Sequence, residues 1–439
     1  MFEFRYKETA LVSPELLTRA AQGLIPSIET LRGVVDAGTY EKLEGSINLS
    51  TDRELLAHVR GAYKKKVSTA LKYILVIGIG GSNLGTKAVY DALHGYFDLL
   101  AGKRFPKLIF LDTNDPNYAN HITSFLSFDI RSPEELLVCV ISKSGGTTET
   151  IANAEFVIHL LQSRFTRVLD RFVTITDFGS PLWIASEQKG IATLAIPDSV
   201  GGRYSVFSAV GLFPLLAAGF DIDALRRGAE TMRQHCISTT IQSNPAALSA
   251  LLLYLHYQER KTIHNIFLFH PELESLGKWY RQLVGESVGK EQDVDGALVH
   301  AGITPVVSIG STDLHSVGQL YLGGPRNAFT TFVWGRGVLS TAAVPREVTF
   351  PGLVSGIAGK SMEHIMDAIL EGVKVAYKKN KLPFAELVVS EISPMMLGGF
   401  MQMKMIEVMF LGILLNVNSF DQPNVESYKV ETKKILGSY

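Results

Sequence analysis

The segment LLVCVISKSGGTTET, residues Leu136–Thr150, joins an apolar run to a cluster of hydroxyl groups and glycines. The apolar run predicts a strand that is buried on both faces. Lys143 is the only basic residue of the cluster, Gly145 and Gly146 lie within it, and its hydroxyls belong to Ser142, Ser144, Thr147, Thr148 and Thr150. Because open α/β sheets bind ligands at the carboxyl ends of their strands, we predict a cradle for a phosphate monoester. A helix cap is the alternative, although a cap needs only one hydroxyl.

A second glycine-rich segment, VIGIGGSNLGTKAV, follows another strand-like run. Its glycines allow a sharp turn and close approach to a ligand, and a helix that begins near Asn83 would offer free N–H groups to an anion. A dinucleotide site would require glycine at position 83 to complete the G-x-G-x-x-G spacing. That position is Asn83, so the segment favours an anion loop or a tight turn.

Arg203 follows Gly201-Gly202 and precedes the apolar stretch YSVFSAVGLFPLL. The dipole of a helix does not favour a cation near its start. A bound anion beside Arg203 would explain this position, and a surface arginine is the alternative.

Four further residues could transfer protons or bind a substrate. Glu286 is predicted on a turn between Gly285 and Ser287, and His315 in a polar loop after a strand, whereas Gln422 and Lys429 lie near the C-terminus. Each residue alone is more often structural. The sequence lacks His-x-x-x-His and Cys-x-x-Cys motifs and a Walker-type Gly-x-x-x-x-Gly-Lys-Ser/Thr motif, so we predict no metal and no cofactor.

The elements that position these residues follow an α/β pattern. Residues 1–70 are predicted as helices, after which strands at 73–79, 107–113, 136–142 and 171–177 alternate with helices. The alternation restarts with strands at 263–270, 304–310 and 329–335, and helices near 361–378 and 394–416 close it. Such alternation predicts right-handed βαβ units around parallel sheets. We predict an N-terminal helical segment (1–70) and two doubly wound α/β domains (71–225 and 226–439), with a ligand in the cleft between them.

Composition narrows the possible partners. The net charge of the 439 residues is −1, so no overall field attracts nucleic acid or an anionic membrane. Two cysteines, Cys139 and Cys236, predict no disulfide framework and favour a reducing cytoplasm. The most apolar helical stretches, near Leu248–Leu255 and Met405–Val417, fall short of the ~20 residues that span a bilayer. We therefore predict a soluble cytoplasmic protein.

Six segments occur in an order that resembles the glucose-6-phosphate isomerase (phosphoglucose isomerase) family in its shorter bacterial form: GIGGSNLG, ISKSGGTTET, GGRYSVFSAVG, LVGESVGKE, STDLHSVGQL and FDQPNVESYK. The resemblance implies two sugar-isomerase (SIS-type) domains, each with a five-stranded parallel sheet. It implies reversible isomerisation of glucose 6-phosphate and fructose 6-phosphate in glycolysis and gluconeogenesis, through ring opening and a cis-enediolate. It also implies a homodimer in which the neighbouring subunit supplies the ring-opening histidine.

The resemblance assigns a role to each matched residue. Glu286 would be the isomerisation base, Arg203 would stabilise the enediolate, and His315 with Lys429 would open the ring. Glu149 would lie near that histidine. The residues that would hold the substrate, chiefly its phosphate, are Gly81, Ser82, Ser142, Lys143 through its amide, Ser144, Thr147, Gln282 and Gln422.

Two other functions remain at this point. A sugar-phosphate sensor could keep the cradle, but it would not need Glu286, Arg203 and His315 together. A nicotinamide-dependent oxidoreductase is disfavoured by Asn83.

Overall fold

The computed structural model describes residues 2–335 and 340–438. The N-terminal segment contains a strand, β1 (Phe2–Arg5), and two helices, α1 (Pro14–Ala37) and α2 (Arg53–Lys66). The helices confirm part of the prediction for residues 1–70, but β1 corrects it, because this strand joins a sheet formed by the second half of the chain. The segment is therefore not a separate helical unit.

The first α/β unit has a sheet of five parallel strands in the order β3-β2-β4-β5-β6. Its strands are β2 (Tyr73–Ile77), β3 (Lys107–Leu111), β4 (Leu136–Ile141), β5 (Phe172–Asp177) and β6 (Ala192–Ile196). Its helices are α3 (Leu84–His94), α4 (Pro116–Phe128), α5 (Thr148–Gln162), α6 (Pro181–Gln188) and α7 (Ala209–Ala217). All six residues of β4 are buried, as the apolar run predicts. The short β6 was not predicted.

The second unit begins with α8 (Ile222–Cys236) and α9 (Pro245–Gln258) and has a five-stranded sheet in the order β1-β12-β11-β7-β10. Its strands are β7 (Ile263–Leu268), β10 (Thr304–Ile309), β11 (Ala328–Gly335) and β12 (Phe384–Val389), with a separate hairpin of β8 (Lys290–Gln292) and β9 (Leu298–Ala301). Its remaining helices are α10 (Glu274–Val288), α11 (Gly318–Gly323), α12 (Met362–Lys379), α13 (Pro394–Leu414) and α14 (Glu426–Gly437). Four strands are parallel, but β1 pairs antiparallel with β12, so the prediction of an all-parallel second sheet is wrong.

Helix α13 forms the centre of the second unit and packs closely against α8. A Cβ atom on Gly398 would lie 1.9 Å from the carbonyl oxygen of Leu225, and one on Gly228 would lie 1.8 Å from that of Met395. The helix has 21 residues and is long and apolar enough to cross a membrane, which corrects the shorter apolar stretch predicted near its end. However, 89% of the most apolar 18-residue stretch of this helix is buried inside the protein, as expected for a core helix.

Helix α10 connects the two units. It packs against α3 of the first unit and against β10 of the second sheet. A Cβ atom on Gly277 would lie 2.4 Å from the side chain of Val307, so a larger residue would push the helix away from β10. The last turns of α10 therefore lie between the two halves of the molecule.

Candidate active site

The loop after β4 has the geometry of an anion cradle. Gly145 adopts a positive φ of +68°, and its backbone N–H donates to the carbonyl of Ser142. The hydroxyls of Ser142 and Thr147 lie 2.9 Å apart. Thr147 is the N-cap residue of α5, yet its side chain makes no capping hydrogen bond. This loop thus combines paired hydroxyls with the N–H groups at the start of a 15-residue helix. That combination favours an anion-binding cradle over a simple helix cap.

The ammonium group of Lys143 points away from the cradle. Its ammonium donates to the carbonyl of Asp198 at 2.7 Å, and its own carbonyl accepts from the backbone N–H of Asp177 and from the hydroxyl of Thr176. Ser144 is exposed, and its hydroxyl accepts a hydrogen bond of 3.4 Å from the N–H of Gly146. Only the backbone of Lys143 is therefore placed to help at the cradle.

The glycine loop after β2 contacts both the Arg203 segment and α10. Gly80 has a φ of +59°, and a Cβ atom there would lie 2.8 Å from the side-chain nitrogen of Gln282. A Cβ atom on Gly81 would lie 2.1 Å from the backbone of Gly202. A side chain at either position would collide with these neighbours, which explains why both residues are glycine. The close approaches bring three distant sequence segments to one point, with Ser82 in the single turn of 3-10 helix that ends the loop.

Arg203 is the centre of the site. It lies in a short 3-10 helix before α7 and is only 2% exposed. Its guanidinium donates to the Gln422 side chain at 2.8 Å, to the Ser287 hydroxyl at 2.8 Å and to a Glu286 carboxylate oxygen at 3.4 Å. It also donates to the carbonyls of Ser419 and Asp421. Arg203 is therefore a buried cation and not the surface arginine of the alternative interpretation.

Glu286 lies in the last turn of α10, which corrects the prediction that it lies on a turn outside a helix. One carboxylate oxygen accepts from the side-chain nitrogen of Gln282 at 3.0 Å, because residues four apart share a helix face. The other oxygen contacts Arg203, and the side chain is 34% exposed. The carboxylate is thus oriented at both oxygens and still accessible to a ligand.

The proposed ring-opening residues lie apart from this cluster. His315 is exposed after β10, the edge strand of the second sheet, in a loop whose Asp313 carboxylate accepts from Ile309 N–H and from the Ser316 hydroxyl. The ammonium of Lys429 pairs with Glu426 on α14. Glu149 lies in the first turn of α5. Within residues 2–335 and 340–438, no hydrogen bond or ion pair joins these three side chains to Arg203, Glu286 or Gln422.

Lys290 belongs to the site, although the sequence analysis did not identify it. Its ammonium donates to the carbonyls of Glu286 and Asp421, each at 2.6 Å, and pairs with the Asp421 carboxylate at 3.2 Å. Burial and the nearby Arg203 lower the pKa of Lys290. The only sequence signal was its position within the segment LVGESVGKE, because nothing local reveals that a lysine will be buried.

A cavity of about 640 Å³ lies at the opposite, amino end of the second sheet. It is lined by the first residues of β7 and β11 and by neighbouring residues, such as Ile263, Ala328 and Pro383. None of the predicted site residues lines it. The polar cluster between the two units, rather than this apolar cavity, fits the chemistry that the sequence predicts.

Comparison with known proteins identifies relatives over nearly the whole chain. The sequence model of the family described as phosphoglucose isomerase matches residues 46–439. A glucose-6-phosphate isomerase of Methanocaldococcus jannaschii is 32% identical over 410 residues, which cover 92% of this chain and 94% of that protein. The isomerase of Streptococcus mutans is 31% identical over 409 residues, with 91% and 88% coverage.

Solved structures confirm the fold. A hypothetical protein from Thermus thermophilus superposes with a TM-score of 0.86 at 30% identity, covering 99% of this chain and all of the other. A glucose-6-phosphate isomerase from Chlamydia trachomatis superposes with a TM-score of 0.80 at 22% identity. The match covers 99% of this chain and 88% of the Chlamydia trachomatis chain. Both similarities extend across the two α/β units.

Proposed function

The chain belongs to the phosphoglucose isomerase family and interconverts glucose 6-phosphate and fructose 6-phosphate, and we propose that Glu286, Arg203 and His315 divide the chemistry among them. One observation carries the proposal. Buried Arg203 contacts Glu286 and Gln422 at once, beside the glycine loop after β2. A base, a fixed cation and an anion-binding loop thus meet at one place.

Glu286 is the base. Isomerisation moves a proton between C2 and C1 of the open-chain sugar, and a single carboxylate can remove the proton and return it to the neighbouring carbon. The hydrogen bond from Gln282 and the contact with Arg203 hold the two oxygens in one orientation. The carboxylate is thus positioned before the substrate arrives.

Arg203 stabilises the enediolate. Negative charge develops on the sugar oxygens as the proton leaves carbon, and a guanidinium remains cationic at every physiological pH. Because Arg203 is already held by the Ser287 hydroxyl and by two carbonyls, little reorganisation is needed when that charge appears. Preorganised charge of this kind lowers the barrier to proton transfer.

The hydroxyl cradle and the glycine loop hold the phosphate. Gly81, Ser82, Ser142, Ser144 and Thr147 offer hydroxyls and backbone amides at the ends of β2 and β4. Because none of these groups is a cation, the charge of Arg203 remains available for the reacting end of the sugar. Gln282 and Gln422 are placed beside Glu286 and Arg203 to complete the pocket.

His315 and Lys429 open the sugar ring, with Glu149 beside the histidine, and His315 acts in the site of a neighbouring subunit. Histidine can donate a proton near neutral pH, as ring opening requires. Its exposure on the edge of the second sheet, away from the Arg203 cluster of its own chain, supports a two-fold dimer with shared sites. We expect this dimer to act in the cytoplasm, without nucleic-acid or membrane partners.

The direct test is to incubate the purified protein with fructose 6-phosphate and to assay glucose 6-phosphate. We expect full activity after dialysis against a chelator and without added nucleotide, because Arg203 takes the place of a Lewis acid in this mechanism. A rate that is lost on dialysis and restored by a divalent metal would contradict the mechanism. Absence of product under all conditions would contradict the function itself.

A further inference from the structure

The loop after α13 carries Gln422 and has little regular structure of its own, because its backbone lies between α13 and a single 3-10 turn. Its position depends on donors from other segments. Arg203 and the Tyr204 hydroxyl donate to the carbonyl of Ser419, and Arg203 also donates to that of Asp421. Lys290 donates to the same Asp421 carbonyl from the opposite segment, after α10.

Among these donors, Arg203 contacts the carboxylate of the base, whereas Lys290 holds its backbone. The last carbonyls of a helix have no partner within the helix, so the end of a helix frays unless another donor satisfies them. The ammonium of Lys290 supplies that donor to the carbonyl of Glu286. The same ammonium therefore connects the backbone of the base to the loop that carries Gln422.

All three N–H groups of Lys290 have protein acceptors, namely two carbonyls and the Asp421 carboxylate. Its side chain is 4% exposed, so it is not presented to a substrate. A buried ion pair costs desolvation and is weak evidence for a gain in stability. The contacts of Lys290 instead restrict geometry on two sides of Arg203.

We propose that Lys290 is a positioning residue for the isomerisation, because it fixes Glu286 and Gln422 relative to Arg203. The proposal rests on the proposed roles of these residues, which the activity of the unmodified protein and the Glu286 variant test separately. The charged groups that face Lys290 are Arg203, Glu286 and Asp421. Because burial and Arg203 lower its pKa, loss of its proton at high pH should loosen the clamp and reduce turnover.

Two variants test the proposal. Lys290→Met keeps the length of the side chain but removes its donors, and we expect kcat to fall about 30-fold with KM changed less than about threefold. Lys290→Arg keeps a donor that does not lose its proton. We expect it to retain a tenth or more of the activity and to extend the high-pH limb of the kcat profile upward.

Lys374→Met is the matched control. Lys290 and Lys374 are each 6% exposed as whole residues, and Lys374 pairs with Glu386 on β12, far along the second sheet from α10. We expect this control to lower Tm while kcat per folded molecule stays within about twofold.

Three results would overturn the proposal. The first is a Lys290→Met variant whose kcat per folded molecule matches that of the control. The second is a loss confined to KM. The third applies if Lys290→Met does not fold, because Lys290→Arg then decides the question. An unchanged high-pH limb of the kcat profile in Lys290→Arg would show that Lys290 does not control the isomerisation.

Discussion

The two α/β units have similar sheets but contribute different chemistry. At the carboxyl ends of β2 and β4, the first unit places glycines and neutral hydroxyls, which suit an anion that must be held and released. The second unit contributes its candidate site residues from outside its strands: Glu286 from the end of α10 and Gln422 from the loop after α13. In the proposed mechanism, similar sheets thus supply the phosphate cradle in one half and the base in the other, as expected if a fold alone does not assign function.

Arg203 shows how the two halves are joined. Its segment belongs to the first unit, whereas its hydrogen-bond partners Glu286, Ser287 and Gln422 all belong to the second. The difference between the two units therefore predicts two kinds of effect. Substitution of Glu286 in the second unit should reduce kcat, whereas substitutions in the hydroxyl cradle of the first unit should raise KM.

The largest expected effect is that of Glu286→Gln. The amide keeps the shape of the side chain but is not a base, so kcat should fall about 10³-fold or more while KM changes less than about tenfold. Steady-state kinetics and exchange of the C2 hydrogen with solvent would measure the loss. Glu274→Gln, in the first turn of the same helix, serves as the control and should keep its kcat. If Glu286→Gln retained more than a few per cent of the rate, another residue would be the base.

His315→Ala should have an intermediate effect and should test whether sites are shared. Turnover of the cyclic sugar should fall about 10²-fold, whereas substrate supplied in open-chain form should react nearly normally, because ring opening precedes proton transfer. An equal loss on both forms would place His315 in the isomerisation step or in folding.

Mixed dimers extend this prediction. When Glu286→Gln and His315→Ala subunits are mixed in equal amounts, about a quarter of the sites should combine an intact base with an intact histidine. Measured activity should therefore recover to about that fraction, whereas each variant mixed with itself should gain nothing. If mixed dimers are verified to form and yet remain inactive, His315 acts in the site of its own subunit.

The smallest expected effect is that of Ser142→Ala in the cradle. Loss of one hydroxyl that we propose to bond the charged phosphate should raise KM about tenfold and leave kcat within about twofold. Inhibition by inorganic phosphate should weaken in parallel. Ser124→Ala, whose hydroxyl bonds only a carbonyl of its own helix α4, should change neither constant. A fall in kcat with unchanged KM for Ser142→Ala would show that the cradle takes part in the chemistry.

Local patterns of the sequence determined much of the fold. Apolar runs predicted β2, β4, β5, β7, β10 and β11 within a few residues of their observed bounds, because a buried parallel strand needs a continuous apolar segment. The strand β1 was missed, because Phe2–Arg5 carries charges and pairs only at the edge of a sheet formed by residues far along the chain. Edge pairing depends on a partner that no local pattern reveals.

Motifs predicted the candidate site residues, but they did not predict how these residues group. Residue types and spacing indicated Arg203, Glu286 and the hydroxyl cradle, because phosphate binding and proton transfer each need particular groups. Only the tertiary structure showed that Arg203 is buried against Glu286 and Gln422, and that Lys290 donates to the backbone of Glu286. Burial and hydrogen-bond partners arise when segments distant in sequence pack together, and that packing depends on the whole chain.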